Sequence, residues 1–150
     1  MALRNPVPNH NHAAEYQVSG IPYVTGSATE ELTSETNTVK IEFPSVTRWI
    51  IVQCTGSAGA KGNAALKFGF SHNGVVSSAS GSALMHFTVL DGQKTDRMEV
   101  KCKELYFAKD GTANAGFQVI AGLTGVESKY FPTLTGSIEG VVNPLLTGVG

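Results

Sequence analysis

Between Val39 and Leu123 apolar residues recur at every second position, and this spacing constrains the chain more than any other feature of its sequence. A period of two sends successive side chains to opposite faces of a strand, whereas a helix buries one position in three or four. Val39, Ile41 and Phe43 share one face while Lys40 and Glu42 share the other, and Pro44 and Ser45 close that strand. Residues 48–54 are apolar on both faces, as in a central strand covered on each side, so Trp49 is assigned to the core. Leu66, Phe68 and Phe70 alternate with Lys67 and Gly69; Met85, Phe87 and Val89 alternate with His86 and Thr88.

Asp91-Gly92 supplies a tight turn, after which Met98, Val100 and Cys102 point inward. The phase slips at Lys103-Glu104, because Leu105 and Phe107 would otherwise face the wrong side, and a bulge or tight corner there restores it. Asp110-Gly111 turns the chain again, and Phe117, Val119 and Ala121 form the last inward face. About seven strands with regular turn signals predict an all-β, antiparallel β-sandwich; an eighth strand from an arm would complete a jelly roll. Residues 55–63 and 74–82 are runs of small residues and are expected to be surface loops.

This pattern divides the chain into an extended N-terminal arm (residues 1–36), a sandwich core (37–126) and an extended C-terminal arm (127–150). The arms alternate Pro and Gly with single apolar anchors: Leu3, Val7, Tyr16 and Tyr23 in the first, Tyr130, Phe131, Leu134, Leu145 and Leu146 in the second. Neither has helical periodicity or enough sidedness to form a sheet alone. Ordering such an arm costs about 1–2 kcal/mol per residue of backbone entropy, which contact with a neighbouring chain would offset. These anchors, with Tyr106 pointing away from Leu105 and Phe107, are the expected interface residues.

Composition narrows the partners. A formal net charge of -1 offers no field for nucleic acid or anionic membranes, and no apolar stretch approaches the length of a membrane span. The N-terminal residues lack the apolar core of a signal peptide, which places the expected site of synthesis in a cytoplasm-like compartment. Cys54 and Cys102 form no C-x-x-C pair and are expected to be buried thiols, although spacing leaves a disulfide open.

No arrangement of residues calls for catalysis or a cofactor. His10 and His12, two apart on an extended segment, are the one pair that could chelate a metal, but with no nearby carboxylate or cysteine ligand beyond Glu15 they are read as part of a solvated polar arm, and no metal is expected. His72 and His86 are expected at the surface. Residues 56–62 lack the Gly-Lys-Ser/Thr ending of a phosphate loop, and residues 69–74 miss the nucleophile elbow. Glu99 and Glu104 occupy outward strand positions and are expected to be solvated. The chain is expected not to be an enzyme.

Asn5-Pro6-Val7-Pro8-Asn9-His10-Asn11-His12, Phe43-Pro44-Ser45-Val46-Thr47-Arg48-Trp49 and Phe117-Gln118-Val119-Ile120-Ala121-Gly122-Leu123, in a Ser/Thr/Gly/Ala-rich sandwich framed by Pro-containing arms, give the chain a resemblance in style along its whole length. It resembles small virion structural proteins of tailed bacteriophages, particularly capsid decoration or cement proteins. The resemblance implies a jelly-roll-like fold on the capsid surface of a virion, made in the host cytoplasm. It also implies contacts with a major capsid protein or other virion proteins, and a homo-oligomer, with a trimer favoured over a dimer. A neck, tail or fibre component is the structural alternative. A carbohydrate-binding jelly roll using loops 55–63 and 74–82 is the alternative of another class.

Overall fold

The computed structural model describes residues 16–17, 20–27, 32–56, 63–76, 86–132, 136–138 and 141–143. Leu3, Val7, His10, His12, Leu134, Leu145 and Leu146 lie outside the described residues.

The alternation folds as expected into an all-β pair of antiparallel sheets enclosing one apolar layer. Strands β1 (Ile21–Gly26), β7 (Ala115–Glu127) and β3 (Ser45–Gly56) form one sheet in the order β1-β7-β3. The second sheet has the order β2-β6-β4-β5, from β2 (Val39–Glu42), β6 (Glu104–Lys109), β4 (Ala65–Gly69) and β5 (Phe87–Leu90). The long β7 is the spine. It pairs with β3 from Ser45↔Glu127 to Gly56↔Ala115, and with β1 from Ile21↔Leu123 to Gly26↔Gln118.

The inward faces are those the sequence indicates. Leu66, Phe68, Leu105, Phe107, Val119 and Ala121 are fully buried. Phe107 stacks on Phe117 at 4.3 Å and on Phe68 at 6.2 Å, so three aromatic rings tie one sheet to the other. Truncating such a ring to alanine costs about 3–5 kcal/mol in a packed core.

Met98, Val100 and Cys102 also point inward, but their segment is not a regular strand. Residues 93–102 follow the open edge of β3 with two isolated bridges, Ile50↔Met98 and Gln53↔Lys94. Thr47 holds the irregular part: its buried hydroxyl donates to the Val100 carbonyl at 2.7 Å and accepts the Cys102 N–H at 2.9 Å. The slip at Lys103-Glu104 is a corner between sheets. Cys102 is still bonded to Thr47 of the first sheet, whereas Glu104 opens β6 of the second, and the Lys103 carbonyl accepts the Phe43 N–H at 2.8 Å. Changing sheets is what lets Leu105 and Phe107 face the same core as Met98 and Cys102 despite their opposite parity.

Several local expectations are corrected. Residues 72–76, the start of the expected loop 74–82, form a one-turn helix, α1 (His72–Val76), that packs on β4 and β6. Ser71 caps it, its hydroxyl accepting the Gly74 N–H at 3.1 Å, and the helix's own Val75 is fully buried. With that cover β4 is buried on both faces, Lys67 included, rather than half-buried. Phe87 stacks on Phe68 at 5.5 Å but lies on the edge strand and stays 56% exposed. Residues 136–143, expected to have no sheet of their own, hold a separate two-stranded sheet, β8 (Gly136–Ile138) with β9 (Val141–Asn143). Cys54 and Cys102 are both buried and free.

Candidate interaction face

Because β3 and β7 carry apolar residues at both parities, the outer face of the three-stranded sheet carries apolar as well as polar side chains. The register sets Val24 opposite Ile120, and Ile120 opposite Ile51, so three branched aliphatic residues form one row across β1, β7 and β3. Val24 is 70% and Ile120 44% exposed. The next row is Pro22, Gly122 and Trp49, and the row on the other side is Gly26, Gln118 and Gln53.

Trp49 is therefore not a core residue. It is half-buried on this outer face, with its indole over Gly122, and the Arg97 guanidinium stands 4.9 Å from the ring. Arg97 also pairs with Glu99 at 2.7 Å. A bulge between Thr47 and Trp49 lets Thr47 turn inward while Trp49 turns out.

A second cluster lies on the outer face of the four-stranded sheet. The β2–β6 register opposes Glu42 to Glu104 and Lys40 to Tyr106. Two carboxylates side by side would repel, and Lys40 bridges them, at 2.5 Å from Glu42 and 2.7 Å from Glu104. Glu104, expected to be solvated, is buried, and also accepts the Tyr106 hydroxyl at 3.2 Å. Hydrogen bonds to Glu104 and then Glu42 hold the Lys40 ammonium well above the ordinary lysine range, and the bond to Lys40 lowers Glu42. Burial, then the charge of Glu104, pushes the Tyr106 phenol up. His72 extends the cluster, edge-on to Tyr106 and 2.7 Å from the Thr38 hydroxyl through Nδ1.

At one end of this cluster an open cavity of about 300 Å³ is lined by Glu42, Phe43, Lys103, Glu104, Ser128 and Lys129. The Ser128 hydroxyl donates to the Phe43 carbonyl at 2.6 Å, and Lys129 pairs with Glu127 at 2.6 Å. These groups are occupied with one another: the arrangement neutralises charge and joins the end of β7 to β2.

The structure scatters the expected interface residues. Tyr23 turns toward the core, edge-on to Phe43 at 5.5 Å. Tyr16 lies under the Lys101 ammonium at 3.8 Å, Tyr106 belongs to the polar cluster, and Tyr130 is 47% exposed beside Lys129. Val24, Ile51 and Ile120, which sequence reasoning did not single out, are the residues brought together. The signal was an apolar residue out of phase: Ile120 falls between the inward Val119 and Ala121, where a half-buried strand would carry a polar side chain.

No group of three or more His, Cys, Asp or Glu residues placed to hold a metal occurs among the described residues, nor does a helix long and apolar enough to cross a membrane. No family model, curated protein or solved structure matches the chain.

Proposed function

We propose that this chain is a structural subunit of a larger protein assembly, of the capsid decoration or cement kind, which joins its neighbours through the outer face of the three-stranded sheet and through its arms. The row Val24, Ile120, Ile51 carries this reading. A contiguous apolar surface exposed on a sheet is costly in water and marks a contact with another protein. The charged groups of the opposite sheet pair internally, so the attraction at the exposed row is apolar rather than electrostatic. The bacteriophage setting rests on the resemblance of the Pro-punctuated arms and the Ser/Thr/Gly/Ala-rich core.

The test is the mass of the purified protein alone, and its co-sedimentation with capsid shells that lack it. Saturable binding at a fixed number of copies per shell, lost in Ile120→Asp, supports the reading. A protein that never joins a shell, or an Ile120→Asp variant that joins normally, overturns it.

One observation favours a second reading. Trp49 is half-buried on a sheet face with the Arg97 guanidinium 4.9 Å from its ring, and an outward indole beside a hydrogen-bonding cation is suited to stacking on a sugar ring. A glycan-array screen decides: specific binding by a monomer, abolished by Trp49→Ala, would replace the assembly reading with a carbohydrate-binding one.

A further inference from the structure

We infer that β5 (Phe87–Leu90) is the contact strand of a dimer, pairing antiparallel with the β5 of a second copy of this chain about a two-fold axis at Thr88. The contact lies on the other sheet from the row at Ile120 and does not depend on what that row binds.

A sheet edge presents unpaired main-chain N–H and C=O groups, and soluble proteins blunt it with charge, proline or a covering segment. The edges of β1, β2 and β3 are blunted in these ways. The Ser27 N–H bonds to the Phe117 carbonyl at 3.0 Å, so the main-chain nitrogens of the alternate residues 22, 24 and 26 face away from β7, and residue 22 is a proline with no N–H to offer. β2 carries the charged Lys40 and Glu42. The edge of β3 is followed by residues 93–102, with Ile50 and Met98 exchanging both main-chain bonds at 2.9 Å.

β5 has none of these devices. It closes the order β2-β6-β4-β5, and among the described residues no strand lies beyond it. Its sequence, Phe-Thr-Val-Leu, contains no charge, proline or glycine, and Phe87 and Leu90 are 56% and 53% exposed. The register also leaves an aromatic row unfinished: Phe107, Phe68 and Phe87 are successive partners across β6, β4 and β5, and the row stops at the open edge.

Main-chain phase selects the partner. The Asp91 N–H bonds to the Ala64 carbonyl at 3.0 Å, so Val89 and Phe87 turn their N–H and C=O groups toward β4, while Thr88 and Leu90 turn theirs outward. Residues opposed across an antiparallel pair point to the same face, so a two-fold axis normal to the sheet must pass through a residue, and the main chain of that residue must face out. Thr88 meets both conditions. Leu90 does not, because its carbonyl already accepts the Gln93 N–H at 2.9 Å. With the axis at Thr88, each Thr88 N–H donates to the Thr88 carbonyl of the other copy, and each Leu90 N–H to the other copy's His86 carbonyl. Phe87 then lies beside the second copy's Val89 and diagonal to its Phe87, which carries the aromatic row across the interface. An uncharged strand meets its own copy without repulsion. The contact is isologous and closes at two copies, unlike the trimer that the bacteriophage resemblance implies.

Proline at position 88 tests the contact, because that amide faces away from β4 and its loss leaves the chain's own ladder intact. Sedimentation velocity of the full chain from micromolar to millimolar concentration should show the wild type passing from monomer to dimer, and Thr88→Pro monomeric throughout with wild-type far-UV circular dichroism. Thr88→Val keeps the amide and loses the hydroxyl bond to Asp110, and Ile120→Asp alters the other sheet; both should dimerise as the wild type does. A wild type monomeric throughout, a Thr88→Pro variant that dimerises, or a folded Thr88→Val or Ile120→Asp variant that does not, overturns the inference. A monomeric wild type whose binding to shells is lost in Thr88→Pro assigns the edge to a capsid strand and overturns it as well.

Should Thr88→Pro fail to fold, crosslinking decides. Across the axis the two copies of residue 88 lie about 5.5 Å apart between Cα atoms, within disulfide range, whereas the two copies of residue 86 are offset by about 14 Å along the strands. Mild oxidation with copper phenanthroline should link Thr88→Cys into a covalent dimer and leave His86→Cys monomeric, the native Cys54 and Cys102 being buried. A Thr88→Cys chain that stays unlinked, or equal linking at the two positions, overturns the inference.

Discussion

The indole of Trp49 rests directly on Gly122, so that a side-chain carbon at position 122 would lie 2.6 Å from Cε2 and 3.0 Å from Cδ1 of the ring. The two residues are cross-strand partners in β3 and β7, and the missing side chain of one is the space that the other fills. Gly122→Ala is expected to force the indole off the sheet and to cost about 1–3 kcal/mol in urea denaturation. Trp49→Leu in the same chain should recover most of that loss, and a double-mutant cycle measures the coupling.

Thr47 is expected to be more sensitive than its size suggests. Thr47→Val keeps the volume but leaves the Val100 carbonyl and the Cys102 N–H without the hydroxyl that serves both. A buried polar group left unpaired costs about 1–3 kcal/mol. Hydrogen exchange at Cys102 should accelerate in Thr47→Val, while Thr47→Ser should retain slow exchange.

Alkaline pH should destabilise the fold through its thiols. Burial, aided by Asp91, pushes Cys54 up to about 11, and burial pushes Cys102 up to about 12, from an ordinary value of 9.0. Above pH 9 the unfolded chain releases these protons and the native one keeps them, so stability falls as pH rises toward 11 and 12. Replacing both cysteines with alanine should flatten that alkaline slope in thermal denaturation, even though the midpoint is lower at neutral pH.

Lys40→Met should unmask the opposition of Glu42 and Glu104. Without the ammonium, the buried Glu104 carboxylate faces Glu42 with no cation between them, so the variant loses stability. Protonation relieves the repulsion, and the deficit relative to wild type should shrink in acid. The native protein behaves the other way: Glu42 is held below its ordinary range by Lys40, so its contribution is present above that range and is lost as pH falls through the lowered value. Denaturation midpoints of both proteins at neutral and acidic pH give the two slopes.

The inward faces were legible because they obey a strict alternation: Ile41 and Phe43, Leu105 and Phe107, Phe117 and Val119 are buried as their parity indicates. The parity break at Lys103 was also legible, since no single strand could bury Cys102 and Leu105 together. What alternation does not encode is which sheet a strand joins, and hence what covers its second face. Trp49 and Val75 show both consequences: Trp49 turns to the outer face of its sheet, where it is half-buried, and Val75, expected in a surface loop, is buried as part of the helix α1 that covers β4. Glu104 was misjudged because the cation that allows its burial comes from a different strand, β2. The row Val24, Ile120, Ile51 required the register of three strands that are distant in the chain.

The antiparallel pairing of β1 with β7 gives the molecule a direction. Ile21, where the N-terminal segment joins the sandwich, is opposite Leu123, and Glu127 closes β7 only four residues later, so both tails depart from one pole. The Asp91-Gly92 turn, tied to Gly56 N–H at 2.8 Å, and Ala115 at the start of β7 mark the other pole, about 40 Å away along the spine. A subunit anchored by its tails would therefore present the Asp91-Gly92 turn outward, and a foreign peptide grafted into that turn would be displayed at the pole opposite the start of β1 and the end of β7.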